Sequence, residues 1–286
     1  MLLLEYPSDA KFTPKHLIDS GMLIAEMSNI SNKKGVYLAS MDVATKKIDK
    51  IKDIDNTSDV SSFIVHSSNE NKILFEEFDQ FNRTSTYYLY NFFDKQLIKI
   101  HYIQEVVPIH YTQVTWMSDG VIFNCYDSET KQYLTYMYYF TDRRLKLLID
   151  HNSSSLISKG KDIIYISIDN VNLETNIVRK DLETRQVKVM ESIKDKNKYI
   201  ESLHDNDEKI LKVINDNGMK KIFEIEDMSE REVQIYELPW IESLTYKKRF
   251  VTFLGNPRTK TRVRSQYYLL DVENKIDYVY VPTSKS

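Results

Sequence analysis

The chain has 286 residues, 42% of them apolar, a formal charge of −3 and a single cysteine. So balanced a charge argues against a polyanionic partner, nucleic acid included, because phosphate contacts need a basic face. One cysteine excludes an internal disulfide, and no apolar run approaches the roughly 18 residues of a helical membrane span.

Met1–Tyr6 reads as a surplus strand that closes the last structural unit. It is too short, and lacks the basic start, for a signal peptide. On the chain as given, the expectation is a soluble, cytoplasmic monomer. A leader or lipid-anchor cysteine upstream would place the protein outside the membrane, as a surface-anchored lipoprotein.

Twenty tyrosines, with only six glycines and six prolines, bias the remainder toward strands. An Asp or Asn opening a turn after a Tyr- or Ile-rich strand recurs at Asp42, Asn91, Asp181, Asp227 and Asp271. Tyr139 holds the same place in a degenerate copy, and the successive gaps are 49, 48, 42, 46 and 44 residues. Six units follow, over about 11–55, 59–103, 107–150, 152–192, 197–237 and 239–281.

The fourth unit is typical. Its strand-like runs are Ser155–Ser158, Asp162–Ile168, Asn176–Arg179 and Gln186–Met190. The turn between the last two starts at Asp181, whose carboxylate is suited to accept backbone N–H groups two residues on. A second repeat supports this phasing: Tyr199-Ile-Glu-Ser-Leu203 returns as Trp240-Ile-Glu-Ser-Leu244, each opening its unit. Cys125 falls in the run Val121–Tyr126, a strand, and reads as a buried structural thiol. Helix signals are nearly absent, and Asp227–Glu232 is too short to stand alone.

Four strands every 40–50 residues is the spacing of propeller blades. Through the Asp-x-x-Thr/Asn turn followed by Lys or Arg at Asp42, Asp181 and Asp271, the chain resembles the β-propeller superfamily. TolB-like and related six-bladed bacterial propellers are the nearest in look. The resemblance implies an all-β fold, one propeller domain over 1–286 with six four-stranded blades. Five or seven blades are the alternatives. Blade signatures of the Trp-Asp, kelch and sialidase classes are missing, so no function follows from the resemblance.

In such a fold ligands collect where the inner strands begin. Those starts fall at Asp59, His110, Asn152, Tyr199 and Trp240, with His16 near the equivalent place in the first unit. Glu201 and Glu242, two positions on, are suited to pair with a cation on the next blade, or to act as an acid and base across a glycosidic bond. Asp59, His110 and His16 would be the ligands if the site held a zinc or manganese ion, although no local ligand pair calls for one. The expectation is therefore no cofactor. His66, His101, His151 and His204 fall at strand ends or turns.

Asn256–Gln266 is the most unusual loop, with Arg258, Lys260, Arg262 and Arg264 at every second position. In an extended segment that spacing turns all four cations to one side, where they suit an anionic ligand. Tyr199 and Trp240 are suited to stack on a sugar or peptide side chain. The other aromatic residues, Tyr87, Tyr88, Tyr136, Tyr138, Tyr139, Tyr267 and Tyr268, read as core between blades.

With no nucleophile motif or phosphate-cradling loop, the first expectation is a non-enzymatic module that binds a protein, peptide or glycan. Two alternatives stand beside it. One is a metal-assisted lyase or hydrolase acting on an acidic saccharide; the other is a structural accessory module of an envelope assembly.

Overall fold

The computed structural model describes residues 10–18, 20–29, 35–54, 61–69, 71–104, 112–127, 130–205, 209–226, 232–247, 249–256, 266–274 and 276–280. These residues form six four-stranded antiparallel sheets and no helix. Two compact units hold three sheets each, residues 1–150 and 151–286.

In the first unit, sheet 1 is β1 (Ala10–Leu17), β2 (Met22–Asn29), β3 (Tyr37–Asp42) and β4 (Ile48–Asp53). Sheet 2 is β5 (Ser61–Asn69), β6 (Lys72–Asp79), β7 (Thr84–Asn91) and β8 (Gln96–Ile103). Sheet 3 is β9 (Val114–Trp116), β10 (Gly120–Asp127), β11 (Gln132–Tyr139) and β12 (Leu145–Ile149).

In the second unit, sheet 4 is β13 (Ser153–Lys159), β14 (Asp162–Asp169), β15 (Glu174–Asp181) and β16 (Val187–Lys194). Sheet 5 is β17 (Lys198–Asp205), β18 (Lys209–Asp216), β19 (Met219–Glu226) and β20 (Glu232–Leu238). Sheet 6 is β21 (Trp240–Lys247), β22 (Phe250–Asn256), β23 (Gln266–Asp271) and β24 (Ile276–Tyr280). Every strand pairs with its neighbour in sequence, the meander of a propeller blade, and there is one blade per repeat.

The repeated aspartates work as turn caps. Asp181 Oδ1 accepts N–H bonds from Glu183 and Thr184 at 2.8 and 2.7 Å, and Asp42 does the same for Ala44 and Thr45. The next position is left-handed and basic: φ is 60° at Lys46, 55° at Lys95, 53° at Arg143 and 62° at Arg185. Glycine or asparagine would suit that conformation better, so the cations contribute something else. Lys95 Nζ reaches Asp49 of sheet 1 at 3.2 Å, and Arg143 reaches Gln96 of sheet 2 at 3.1 Å. The turns at Lys95 and Arg143 thus clip sheets 2 and 3 to the sheet before.

Apolar side chains fill the space between consecutive sheets of a unit. Phe63, Phe75 and Tyr88 meet Ile24 and Leu38, while Tyr87 and Leu89 meet Val121 and Phe123. Ile166 and Ile177 meet Ile200 and Ile210, and Val213 and Ile222 meet Val251 and Phe253. Cys125 is buried and free, and burial holds its thiol far above its ordinary pKa. Of the aromatics assigned to the core, Tyr87, Tyr88, Tyr138 and Tyr268 are buried. Tyr267 is not: it alternates with Tyr268 along β23 and so points to the opposite face, where it is exposed.

Two buried cations break the apolar pattern. Lys52 of β4 meets Glu77 of β6 at 3.0 Å, and Lys212 of β18 meets Glu191 of β16 at 2.6 Å. Both pairs join a fourth strand to the second strand of the following sheet, with the charges reversed.

Candidate functional site

Several candidate residues lie on or beside the first strand of a blade, and among the described residues five of the six first strands bulge. Register shifts fall between Pro14 and His16, Val65 and Ser67, Ser154 and Ile157, Ile200 and Ser202, and Glu242 and Thr245. An extra residue bends the strand and re-aims a side chain that would otherwise alternate inward.

In the first unit, Asp59 and His110 lie outside the described residues. The expected place of His16 is corrected. It is the second-last residue of β1, far from the strand start, because β1 already begins at Ala10. Its Nε2 lies 2.8 Å from Ser68 Oγ, near the end of β5.

His16 belongs to a junction that sequence reasoning missed. His66, Ser67 and Ser68 are consecutive on β5, and each secures a different blade. Ser68 holds His16 of sheet 1, and Ser67 Oγ accepts from Trp116 Nε1 of sheet 3 at 3.0 Å. His66, at the bulge, turns into its own sheet and meets Glu76 at 2.9 Å. Ser85 Oγ donates to the other Glu76 oxygen, and the Tyr87 ring stacks on His66 at 5.5 Å. The Tyr87 hydroxyl reaches Thr112 at 3.2 Å. Burial pushes the Glu76 carboxyl up, but His66, Ser85 and Tyr87 together outweigh it and hold the group below its ordinary value. Burial, then the Glu76 charge, raises the Tyr87 phenol. Both Glu76 oxygens are engaged and both side chains are buried, so this cluster locks blades and offers nothing to a ligand.

The second unit keeps the other candidates together. Its first strands β13, β17 and β21 lie side by side. Asn152 immediately precedes β13, Tyr199 is the second residue of β17, and Trp240 is the first of β21. Glu201 sits at the β17 bulge, and Glu242 stands opposite Leu254 just before the β21 bulge.

Glu201 does not pair with the next blade as expected. Lys220 of its own sheet donates to Oε1, because Lys220 lies opposite Asn215, which lies opposite Tyr199. Glu201 Oε2 is buried and has no hydrogen-bond partner among the described residues. Tyr199 remains 39% exposed. Its phenol is raised by partial burial and then by the Glu201 charge, which places the two side chains in each other's field. Over this end, β18 and β19 are joined by Asn217 and Gly218 alone, with φ 54° and 84°, the tightest hairpin type.

Arg258, Lys260, Arg262 and Arg264 lie outside the described residues. They fall between β22 and β23, and Asn256, where β22 ends, stands opposite Trp240. Among the described residues, no three His, Cys, Asp or Glu side chains gather as a metal site would require. No helix among them is long and apolar enough to cross a membrane.

No family model matches the chain, and no curated protein matches it in sequence. Solved structures match it in fold. An uncharacterised protein from Listeria monocytogenes EGD-e superposes with a TM-score of 0.63 at 12% identity, covering 96% of this chain and 84% of that one. The β-propeller domain of the Trilobed protease from Pyrococcus furiosus gives 0.59 at 14%, covering 97% and 86%. TolB from Acinetobacter baumannii gives 0.52 at 13%, covering 96% and 69%. Larger enzymes match as well, and the chain spans 45% of a post-proline cleaving enzyme from Rickettsia typhi and 50% of a prolyl endopeptidase. At such identities the likeness is one of fold: the chain is a six-bladed β-propeller, and its function has to be argued from its own residues.

Proposed function

We propose that the protein is a non-enzymatic binding module whose ligand, a protein segment, peptide or glycan, docks where β13, β17 and β21 begin. The observation that carries this reading is Glu201 Oε2, a buried carboxylate oxygen without a hydrogen-bond partner beside a half-exposed Tyr199. Burying such an oxygen unpaired costs about 1–3 kcal/mol or more for a charged group, and an arriving donor recovers that cost. The ion pair with Lys220 holds the carboxylate in place beforehand, so the ligand need not order that group.

Binding measured against panels of oligosaccharides and peptides tests the reading. Tyr199→Ala removes a partly exposed ring, and the expected result is at least a tenfold loss of affinity with Tm unchanged. Unchanged affinity in Tyr199→Ala and Glu201→Gln alike overturns the site. Turnover of an acidic saccharide by protein carrying stoichiometric manganese or zinc overturns the non-enzymatic assignment.

A further inference from the structure

The described side chains at this end also narrow the chemistry of the ligand. Glu201 and Lys220 form a direct ion pair, so the two groups together carry no net charge. One acceptor remains on the carboxylate, since Oε2 has no partner among the described residues. An ammonium has three N–H donors, and the ion pair engages one of them with Glu201. The ligand therefore meets an acceptor and a donor held in contact, beside one aromatic ring that is 39% exposed.

Neighbouring hydroxyls of a sugar answer that arrangement. One hydroxyl donates to Glu201 Oε2 while the next accepts from Lys220 Nζ, and each can do either because a hydroxyl is both donor and acceptor. The apolar face of the sugar ring packs on Tyr199, whose body is apolar and whose tip is polar. In a trans peptide unit the N–H and C=O lie in the amide plane and point in opposite directions, so one peptide unit cannot serve both groups at once. A ligand carboxylate can accept from Lys220 but has no donor to offer Glu201 Oε2, whose charge opposes it.

We propose that the β17 start is a subsite for an uncharged saccharide, gripped by Glu201 and Lys220 through two adjacent hydroxyls and stacked on Tyr199. The assignment rests on the binding-module reading and specifies its ligand. Oε2 is enclosed, so entry of the sugar requires a side-chain movement, and Tyr199, 39% exposed near the strand start, takes up its place on the sugar face in the same step.

Isothermal titration of the intact chain with uncharged tetrasaccharides, the matching uronate tetrasaccharides and blocked tetrapeptides tests it. The expected result is binding of one or more uncharged saccharides. Tyr199→Ala and Glu201→Ala should each weaken it tenfold or more, while Tyr199→Phe, which keeps the ring, stays within about threefold of the parent. Circular dichroism of each variant confirms that it is folded. Binding of uronates or peptides only, lost in the same variants, overturns the saccharide assignment and leaves the binding module standing. Absence of binding by all three panels overturns both.

Discussion

His204 shows how one buried side chain sets a pH limit on stability. It lies near the end of β17 with Nε2 2.9 Å from Ser202 Oγ, and burial lowers its pKa from 6.5 to about 4. The folded chain therefore keeps this ring neutral where an unfolded chain would protonate it. Between pH 6.5 and about 4 the unfolded state binds the extra proton, so stability falls as pH falls through that window. Two and a half pH units correspond to about 3 kcal/mol at full protonation. His204→Gln should flatten this part of a Tm-against-pH curve measured from pH 7.5 to 4.5, whereas an unaltered slope would assign the acid limb to other groups. The same scale shows what was legible in sequence. Asp42 and Asp181 were readable as turn caps because an Asx turn is a local event spanning three residues. Lys220 was not, because it reaches Glu201 only through two steps of strand register. His66 reads from the sequence as a strand-end or turn residue, because its meaning depends on a bulge that no spacing announces.

Among the elements, the two buried ion pairs differ in a way that single substitutions expose. Lys52 and Glu77 are both enclosed, with side chains 7% and 8% exposed. Removing either strands the other as a buried charge, so Lys52→Met and Glu77→Leu should each cost about 3 kcal/mol in denaturant unfolding. The second pair is lopsided: the Lys212 side chain is 1% exposed and that of Glu191 28%. Glu191→Leu leaves a buried ammonium and should again cost about 3 kcal/mol. Lys212→Met fills nearly the same space with an apolar chain and lets Glu191 return to water, so its cost should stay below about 1 kcal/mol. Equal costs at Lys212 and Glu191 would contradict the solvation argument. Strand positions came readily from the sequence because alternation and turn chemistry are local. The repeat puts the start of the first strand near His16, whereas β1 begins at Ala10, six residues earlier. Its opening, Ala10-Lys-Phe-Thr-Pro-Lys, combines a proline with weak alternation, and proline within a run argues against a strand unless the strand is an edge. As the first strand of sheet 1, β1 is such an edge.

For the whole molecule, the open question is cooperativity. Repeat architectures take their stability from individual repeats and the interfaces between neighbours. Inside each unit those interfaces are alike: apolar clusters between sheets 1 and 2, 2 and 3, 4 and 5, and 5 and 6 are built from the same aliphatic and aromatic residues. With such like interfaces inside it, each three-sheet unit should melt as a block. The sequence points to one domain over all 286 residues, since neither a Gly/Ser linker nor a charge block interrupts the repeats. If the blocks are one domain, calorimetry should show a single transition with equal van't Hoff and calorimetric enthalpies. Glu77→Leu in the first unit and Glu191→Leu in the second should then lower the same Tm. Two transitions, each moved by only one of these substitutions, would instead make Asp150–His151 a domain boundary.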